Sequence, residues 1–254
     1  MNFNAHPMHA VACGAVFVAA ASLASAAPAS APVVAAAPMH AQGTKPAYPR
    51  LTKFPDAKVM AKVNLALENL EKDDREAYAD CLSQLKDDKQ KPTADSWGES
   101  VAVRYLSARY LSVEIVTSYD CGGPYPTSGA ESPVTYDLTT GAALDWTTAF
   151  KPGFLAPLSD AQTAPPSALT KLYRARYRKG KGDPEGCRGV ITDQDPFGSA
   201  PITWLDAKGG IVFQPDFPHV TAACADPLTL SPADVAPYLK DAKFAADLKA
   251  VVHK

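Results

Sequence analysis

The sequence predicts an α+β fold, an antiparallel meander sheet covered by a long N-terminal amphipathic helix and followed by a C-terminal hairpin and helices. Three observations lead there. Residues 110–119 alternate, with Leu111, Val113, Ile115, Thr117 and Tyr119 on one face and Ser112, Glu114, Val116 and Ser118 on the other, the pattern of a half-buried strand. Met60, Val63, Leu67, Leu70, Ala77, Tyr78, Cys81, Leu82 and Leu85 instead fall at helical spacing and make one apolar stripe. Strand-like runs around Val101, Val113 and Val134 are joined by short connections, so they read as a meander with one face free for that helix.

The chain has 254 residues, 46% of them hydrophobic, enough for one sizeable core. A net charge of -2 gives no overall field that would recruit nucleic acid or an anionic membrane. Residues 1–26 read as a signal peptide: an alanine-rich apolar run over 11–23, then Ala24-Ser25-Ala26, with cleavage expected near Ala26. The run is shorter and less apolar than the roughly 20 residues a membrane span needs. Cys13 precedes most of it, so it leaves with the signal rather than carrying a lipid. Residues 27–46, rich in Ala, Pro and Ser, read as a disordered tether, and 47–254 as a single domain in the periplasm or secreted, with no stable membrane insertion after cleavage.

Within the domain, Tyr48-Pro49-Arg50-Leu51 suits a short leading strand that Pro49 confines to an edge. Asp56 is placed to cap a helix after Pro55, and the polar run Glu-Lys-Asp-Asp-Arg-Glu at 71–76 marks either an exposed middle or a break into two helices. Glu71, Asp73, Asp74, Glu76 and Asp80 read as a solvated helix face, with a docking face for a basic partner as the rival. Cys121, Gly122, Gly123, Pro124 and Pro126 form a turn between strands, and Asp137 to Gly141 closes the next one. Residues 144–150 suit a helical turn ending at Pro152.

A second helix is expected over 169–178, with Leu172, Tyr173 and Tyr177 inward and the basic residues Lys171, Arg174 and Arg178 outward. That basic face suits an anionic glycan or phosphate if it is more than solvated surface. The acidic loop 182–200 lacks the spacing of a calcium-binding EF-hand. Strands at 201–206 and 210–214 flank a turn and carry Trp204 and Phe213 as anchors. After a short strand at 228–230, Ser231, Pro232 and Asp234 spell a helix cap, and a last helix is expected over 240–253.

Four cysteines remain after signal cleavage, Cys81, Cys121, Cys187 and Cys224, and an even count in an exported chain implies two disulfides. No C-x-x-C knuckle supports zinc. Of the three connectivities, Cys81–Cys121 and Cys187–Cys224 is expected: the helix bearing Cys81 must cover the sheet that holds Tyr119, and Cys187 and Cys224 flank one hairpin. Catalytic signatures are missing. There is no G-x-S-x-G, H-E-x-x-H, phosphate loop or dinucleotide fingerprint, and His219 is the one histidine well inside the expected fold. Dispersed carboxylates for glycoside cleavage stay open, because their spacing is set only by folding.

Several of these elements together carry a resemblance. A strand ending in Tyr119, then Gly122-Gly123, a short loop, and a strand closing on Asp137-Leu138-x-x-Gly141 before Phe150 is one part. Gly210-Ile-Val-Phe-Gln-Pro215, Leu228-Thr-Leu230 and Tyr238-Leu239 are the others. Together they resemble the domain of unknown function in the C-terminal half of the lysozyme-sensing anti-sigma factor RsiV and in the non-catalytic part of the peptidoglycan deacetylase PdaC. The resemblance implies an exported envelope-binding module without catalytic residues or cofactor, its ligand a lysozyme-like protein or a peptidoglycan-related glycan. Members carry Gly-Gly-Ala-His where this chain has Gly122-Gly123-Pro124-Tyr125, so that histidine's role does not transfer. The expected ligand contacts are Tyr125, Gly122 and Gly123, with Arg174 and Arg178 as a basic patch. The rival function is an envelope glycan hydrolase or esterase built on dispersed acids and His219.

Overall fold

From the Asp56 carboxylate, which accepts the backbone N–H of Lys58 at 2.8 Å and of Val59 at 3.1 Å, a single helix α1 (Ala57–Asp87) runs for 31 residues. The computed structural model describes residues 33–35, 47–93, 95–122, 127–155, 166–179, 186–193, 196–197 and 200–248. The polar run at 71–76 does not break α1. Its Lys, Glu and Arg are good helix formers, and Lys72–Glu76 and Glu71–Arg75 pair at i,i+4 spacing.

The sheet under α1 is the expected antiparallel meander. Its strands are β3 (Trp97–Leu106), β4 (Tyr110–Asp120), β5 (Thr127–Glu131), β6 (Val134–Asp137) and β7 (Ala142–Ala143), in the order β3-β4-β6-β7 with β5 also on β4. β5 stands where the sequence predicts a loop: residues 127–131 pair with 116–120 and extend the sheet alongside the second half of β4. Leu111, Val113 and Ile115 of β4 meet Val59, Val63 and Leu67 of α1, so the two sequence periods converge on one aliphatic core. Full burial of a side chain such as Leu67 contributes about 1.5–3 kcal/mol.

A second sheet, β8 (Ile202–Leu205), β9 (Ile211–Gln214) and β10 (Leu228–Leu230), in the order β10-β9-β8, packs toward the opposite face. The polar alternation of β4 is used here: the Leu205 N–H donates to Ser112 Oγ at 3.2 Å, and Ser112 Oγ bonds Thr135 Oγ1 at 2.9 Å, so buried hydroxyls are satisfied between the layers. The larger core lies on this side, with Phe150, Phe154, Phe213 and Phe244. Around it stand α2 (Trp146–Ala149), α3 (Ala168–Lys179), α4 (Cys187–Asp193), α5 (Pro232–Val235) and α6 (Ala242–Leu248). The capping box at Ser231 and Asp234 forms as the sequence spells it. Gly209, at φ +77°, lies so near the Leu248 carbonyl oxygen that an added Cβ would sit 2.3 Å away, which docks α6 against the β8–β9 turn.

Cys81 is bonded to Cys121 and Cys187 to Cys224, the expected connectivity, across separations of 40 and 37 residues. Loop-closure entropy makes each worth roughly 4 kcal/mol. Three expectations need correcting. Within the stretch read as a disordered tether, β1 (Val33–Ala35) pairs antiparallel with β2 (Arg50–Lys53), because β2 offers an open edge to an extended β-branched run. The loop 182–200 contains α4, seated by Cys187 and Ile191 in the core. The acidic run of α1 is not uniformly solvated, as described next. The final helix is described through Leu248, and its expected continuation to His253 lies outside the described residues. Among the described residues no helix is long and apolar enough to cross a membrane.

Candidate functional site

The buried stripe of α1 runs Val59, Val63, Leu67, Glu71, and resumes at Cys81 and Leu85. Glu71 and Asp74 occupy inward positions of the same stripe, four and seven residues after Leu67. Carboxylates there are costly unless each finds a partner. Glu71, 9% exposed, takes two cations: Arg50 Nη2 lies 2.5 Å from its Oε2, and Arg75 pairs with its Oε1. Asp73, Glu76 and Asp80 stay on the exposed side, so the acidic run splits between solvent and interface.

Asp74 meets Glu99 of β3 in a direct side-chain hydrogen bond. Two further donors reach Glu99, the Tyr48 hydroxyl at 3.3 Å and the Trp97 indole N–H at 3.5 Å. Burial, then the charge of Asp74 and the hydrogen bond with it, push the Glu99 carboxyl up to about 7, and burial also raises Asp74. The two acids titrate as one pair that shares a proton through this hydrogen bond. Among the described residues no Lys or Arg forms an ion pair with either acid. On the other sheet face the arrangement differs. Buried Glu114 is paired with Arg104, and its neighbour Glu131 is raised by burial and by the Glu114 charge.

Beyond the acids, α1, β3 and β4 bring three aromatic rings together. Trp97 stacks on Tyr119 with ring centres 5.6 Å apart, and Tyr78 meets Trp97 edge-on at 5.7 Å. All three rings are partly exposed. Their positions are held by the β3–β4 register, which sets Trp97 opposite Tyr119, and by the Cys81–Cys121 disulfide one turn beyond Tyr78. Gly122 then turns the chain at φ +79°, with Asp88 Oδ2 3.0 Å from where a Cβ would sit, a conformation and space that favour glycine. Gly123 and Tyr125 lie outside the described residues, but the base of their loop is held on one side by the disulfide and on the other by the β4–β5 ladder.

The remaining residues named from sequence lie elsewhere. Arg174 sits on α3, donating through Nε to the Ile191 carbonyl at 3.0 Å on the Cys187–Cys224 side of the molecule. Arg178 continues that helix, its side chain outside the described set. His219 begins a 3-10 turn (His219–Cys224), and its side chain is likewise outside. Near α3 a surface groove of about 540 Å³ is lined by Leu172, Arg176, Leu228, Leu230, Asp234 and Tyr238. Sequence reasoning missed the Asp74–Glu99 pair and Trp97, although a signal existed: Glu71, Asp74 and Tyr78 continue the phase of Leu67.

At the Trp97 end, rings and hydrogen-bonding acids lie side by side. Carboxyl groups in direct contact are closer than the roughly 5–9.5 Å that glycosidase pairs keep. Among the described residues no group of three His, Cys, Asp or Glu could hold a metal ion. Partly exposed rings beside hydrogen-bonding acids suit a ligand that offers an apolar face and polar edges. No family model matches this chain, and no curated protein matches it in sequence. Solved structures do match. A member of the DUF3298 family from Bacteroides fragilis shares 15% identity over 80% of this chain and 86% of its own, with a TM-score of 0.50. A DUF3298 family protein from Pseudomonas aeruginosa shares 15% identity over 83% of this chain and 95% of its own, at a TM-score of 0.45. At that identity the likeness to the Bacteroides protein is one of fold: this chain has the α+β fold of a DUF3298 member.

Proposed function

We propose that this chain is an exported cell-envelope binding module without catalytic activity, taking a peptidoglycan-related glycan or a lysozyme-like protein on the Trp97 end of its sheet. In this reading residues 1–26 are a cleaved signal peptide and 47–254 the binding domain. The observation that carries it is the Trp97–Tyr119 stack, partly exposed and flanked by Tyr78, on a frame pinned by the Cys81–Cys121 disulfide. Such rings present rigid contact area at low ordering cost, and the neighbouring acids supply acceptors for sugar hydroxyls or for the basic side chains of a protein. Gly122 turns the chain beside the rings, Gly123 and Tyr125, next in sequence, are further expected contacts, and the resemblance to the domain in RsiV and PdaC supports an envelope ligand. Arg174 and Arg178, on the far helix, serve as a secondary anionic contact.

The test is titration calorimetry of residues 27–254 against soluble peptidoglycan fragments and, separately, against a lysozyme. Binding of one, weakened about tenfold or more by Trp97→Ala, is the expected result. Binding that Trp97→Ala leaves unchanged overturns the location. Release of sugars, acetate or peptides from peptidoglycan, abolished in His219→Ala, would establish the hydrolase reading instead.

A further inference from the structure

We propose that Asp74 and Glu99 form a proton-operated latch between α1 and β3, closed on the acid side and released on the alkaline side, which sets the position of Trp97. The geometry comes first. Helix α1 is anchored near its start by Val59, Val63 and Leu67 against the sheet and near its end by the Cys81–Cys121 disulfide and Leu85. Between those anchors the helix meets the sheet through Leu70, the acids Glu71 and Asp74, and Tyr78 on Trp97. Glu71 is paired there with two cations, Arg50 from β2 and Arg75 from α1. Glu99 faces Asp74 and the Glu71 charge from α1, Tyr48 from the segment before β2, Trp97 on its own strand, and the uncharged Thr117 opposite it on β4.

Two carboxyl groups in contact without a cation hold one negative charge comfortably and two poorly. With the proton in place, the two acids share it and the latch is closed. Loss of that proton to solvent leaves two like charges in a half-dry interface. Because both ends of α1 are anchored, the response is local: the acids turn apart, water enters, and the central turns of α1 loosen from β3. Trp97 follows, since its indole N–H is held by the second Glu99 oxygen while its ring supports the Tyr119 stack. Raised carboxyl affinity at both acids, driven first by burial, agrees with this arrangement.

The latch deepens the proposed function, resting on it only for the claim that the Trp97 face meets ligand, and its test needs no ligand. The full chain after signal cleavage is labelled with 5-fluorotryptophan and followed by fluorine NMR from pH 5 to 9, the Trp97 resonance being assigned by Trp97→Phe. In wild type that resonance moves with a midpoint near neutral pH, while those of Trp146 and Trp204 stay. In Glu99→Gln, whose amide can still donate to Asp74, it rests at the acid-side position throughout. A second variant, Asp74→Asn, keeps the fold testable and lowers the wild-type midpoint by about one pH unit or more, as removal of a contacting charge requires. A Trp97 resonance that does not move in wild type, or that titrates alike in wild type and both variants, overturns the latch. Failure to bind any envelope ligand would leave these outcomes untouched, and a latch that fails would leave binding at Trp97 standing.

Discussion

The two sides of the central sheet solve the burial problem differently. Toward β8–β10 the core is aromatic: Phe150, Phe154 and Phe213 lie with ring centres 4.6–5.7 Å apart, and Phe154 stacks on Tyr238 at 4.7 Å. Toward α1 the core is aliphatic for the first half of the helix and then turns polar at Glu71, Asp74 and Glu99 before closing on a disulfide. The first side buries polar groups too, Ser112, Thr135 and Glu114, but hydrogen bonds between the layers and the Arg104 cation satisfy them. The second keeps two acids, Asp74 and Glu99, bonded to each other at a helix–sheet contact where apolar residues would pack better.

The largest break in that contrast is Phe213→Ala. Phe213 is fully buried at the centre of the aromatic core, and its removal is expected to cost about 3–5 kcal/mol in chemical denaturation. Opening the disulfides comes next, at roughly 2–4 kcal/mol each. Paired Cys187→Ser and Cys224→Ser changes should loosen α4 and the 3-10 turn together, because the bond joins them inside the core. Paired Cys81→Ser and Cys121→Ser changes should instead raise hydrogen exchange mainly in the last turns of α1 and in residues 119–122. Equal, global loosening by both pairs would erase the distinction between the two sides.

The acid pair sharpens the comparison through pH. The Glu99 carboxyl is raised to about 7 in the folded chain from an ordinary value of 4.5, so between those values the folded state holds more protons than the unfolded one. Stability therefore falls as pH rises through that window and levels off above it. The half-exposed site reduces the effect by solvent screening to about 1–2 kcal/mol. In Glu99→Gln that decline should flatten, with melting temperature at pH 8 equal to or above wild type. A wild-type curve that rises between pH 5 and 7 would contradict the assignment.

Much of this architecture is legible in the residues. The alternation at 111–119 and the i,i+3/i+4 stripe of α1 identify the two surfaces that meet, and that meeting brings Cys81 to Cys121. Ser231-Pro232-x-Asp234 specifies its cap because every donor and acceptor is local. What was hidden depends on partners distant in sequence. Glu71 and Asp74 look like solvated surface because charge usually means solvent, and only Arg50 and Glu99, brought in by β2 and β3, make an inward position tolerable. Strand β5 lacks the expected alternation, since Thr127-Ser-Gly-Ala-Glu131 is recruited by the free edge of β4. The short α4 is likewise held by tertiary contact, through Cys187 and Ile191, in a loop whose composition suggests turns.

The smallest expected effect on stability belongs to the residues expected to matter most for binding. Tyr125 falls in sequence between Gly122 and the β4–β5 ladder, and the disulfide at Cys121 and that ladder are held by their own bonds. Tyr125→Ala is expected to change stability by no more than about 0.5 kcal/mol while weakening ligand binding by about 1–3 kcal/mol. Trp97→Ala removes the Tyr119 stack and the indole donor to Glu99 together, so it should cost both stability and affinity. Calorimetric titration and thermal melts on the two single variants and the double variant separate these roles. If Tyr125 and Trp97 contact one ligand side by side, their affinity losses should fail to add by more than about 0.5 kcal/mol, as neighbouring contacts do, while their stability losses add. Additive affinity losses would place the two rings in separate contacts and divide the surface in two, and a Tyr125→Ala protein that melts early yet binds normally would make that tyrosine part of the frame.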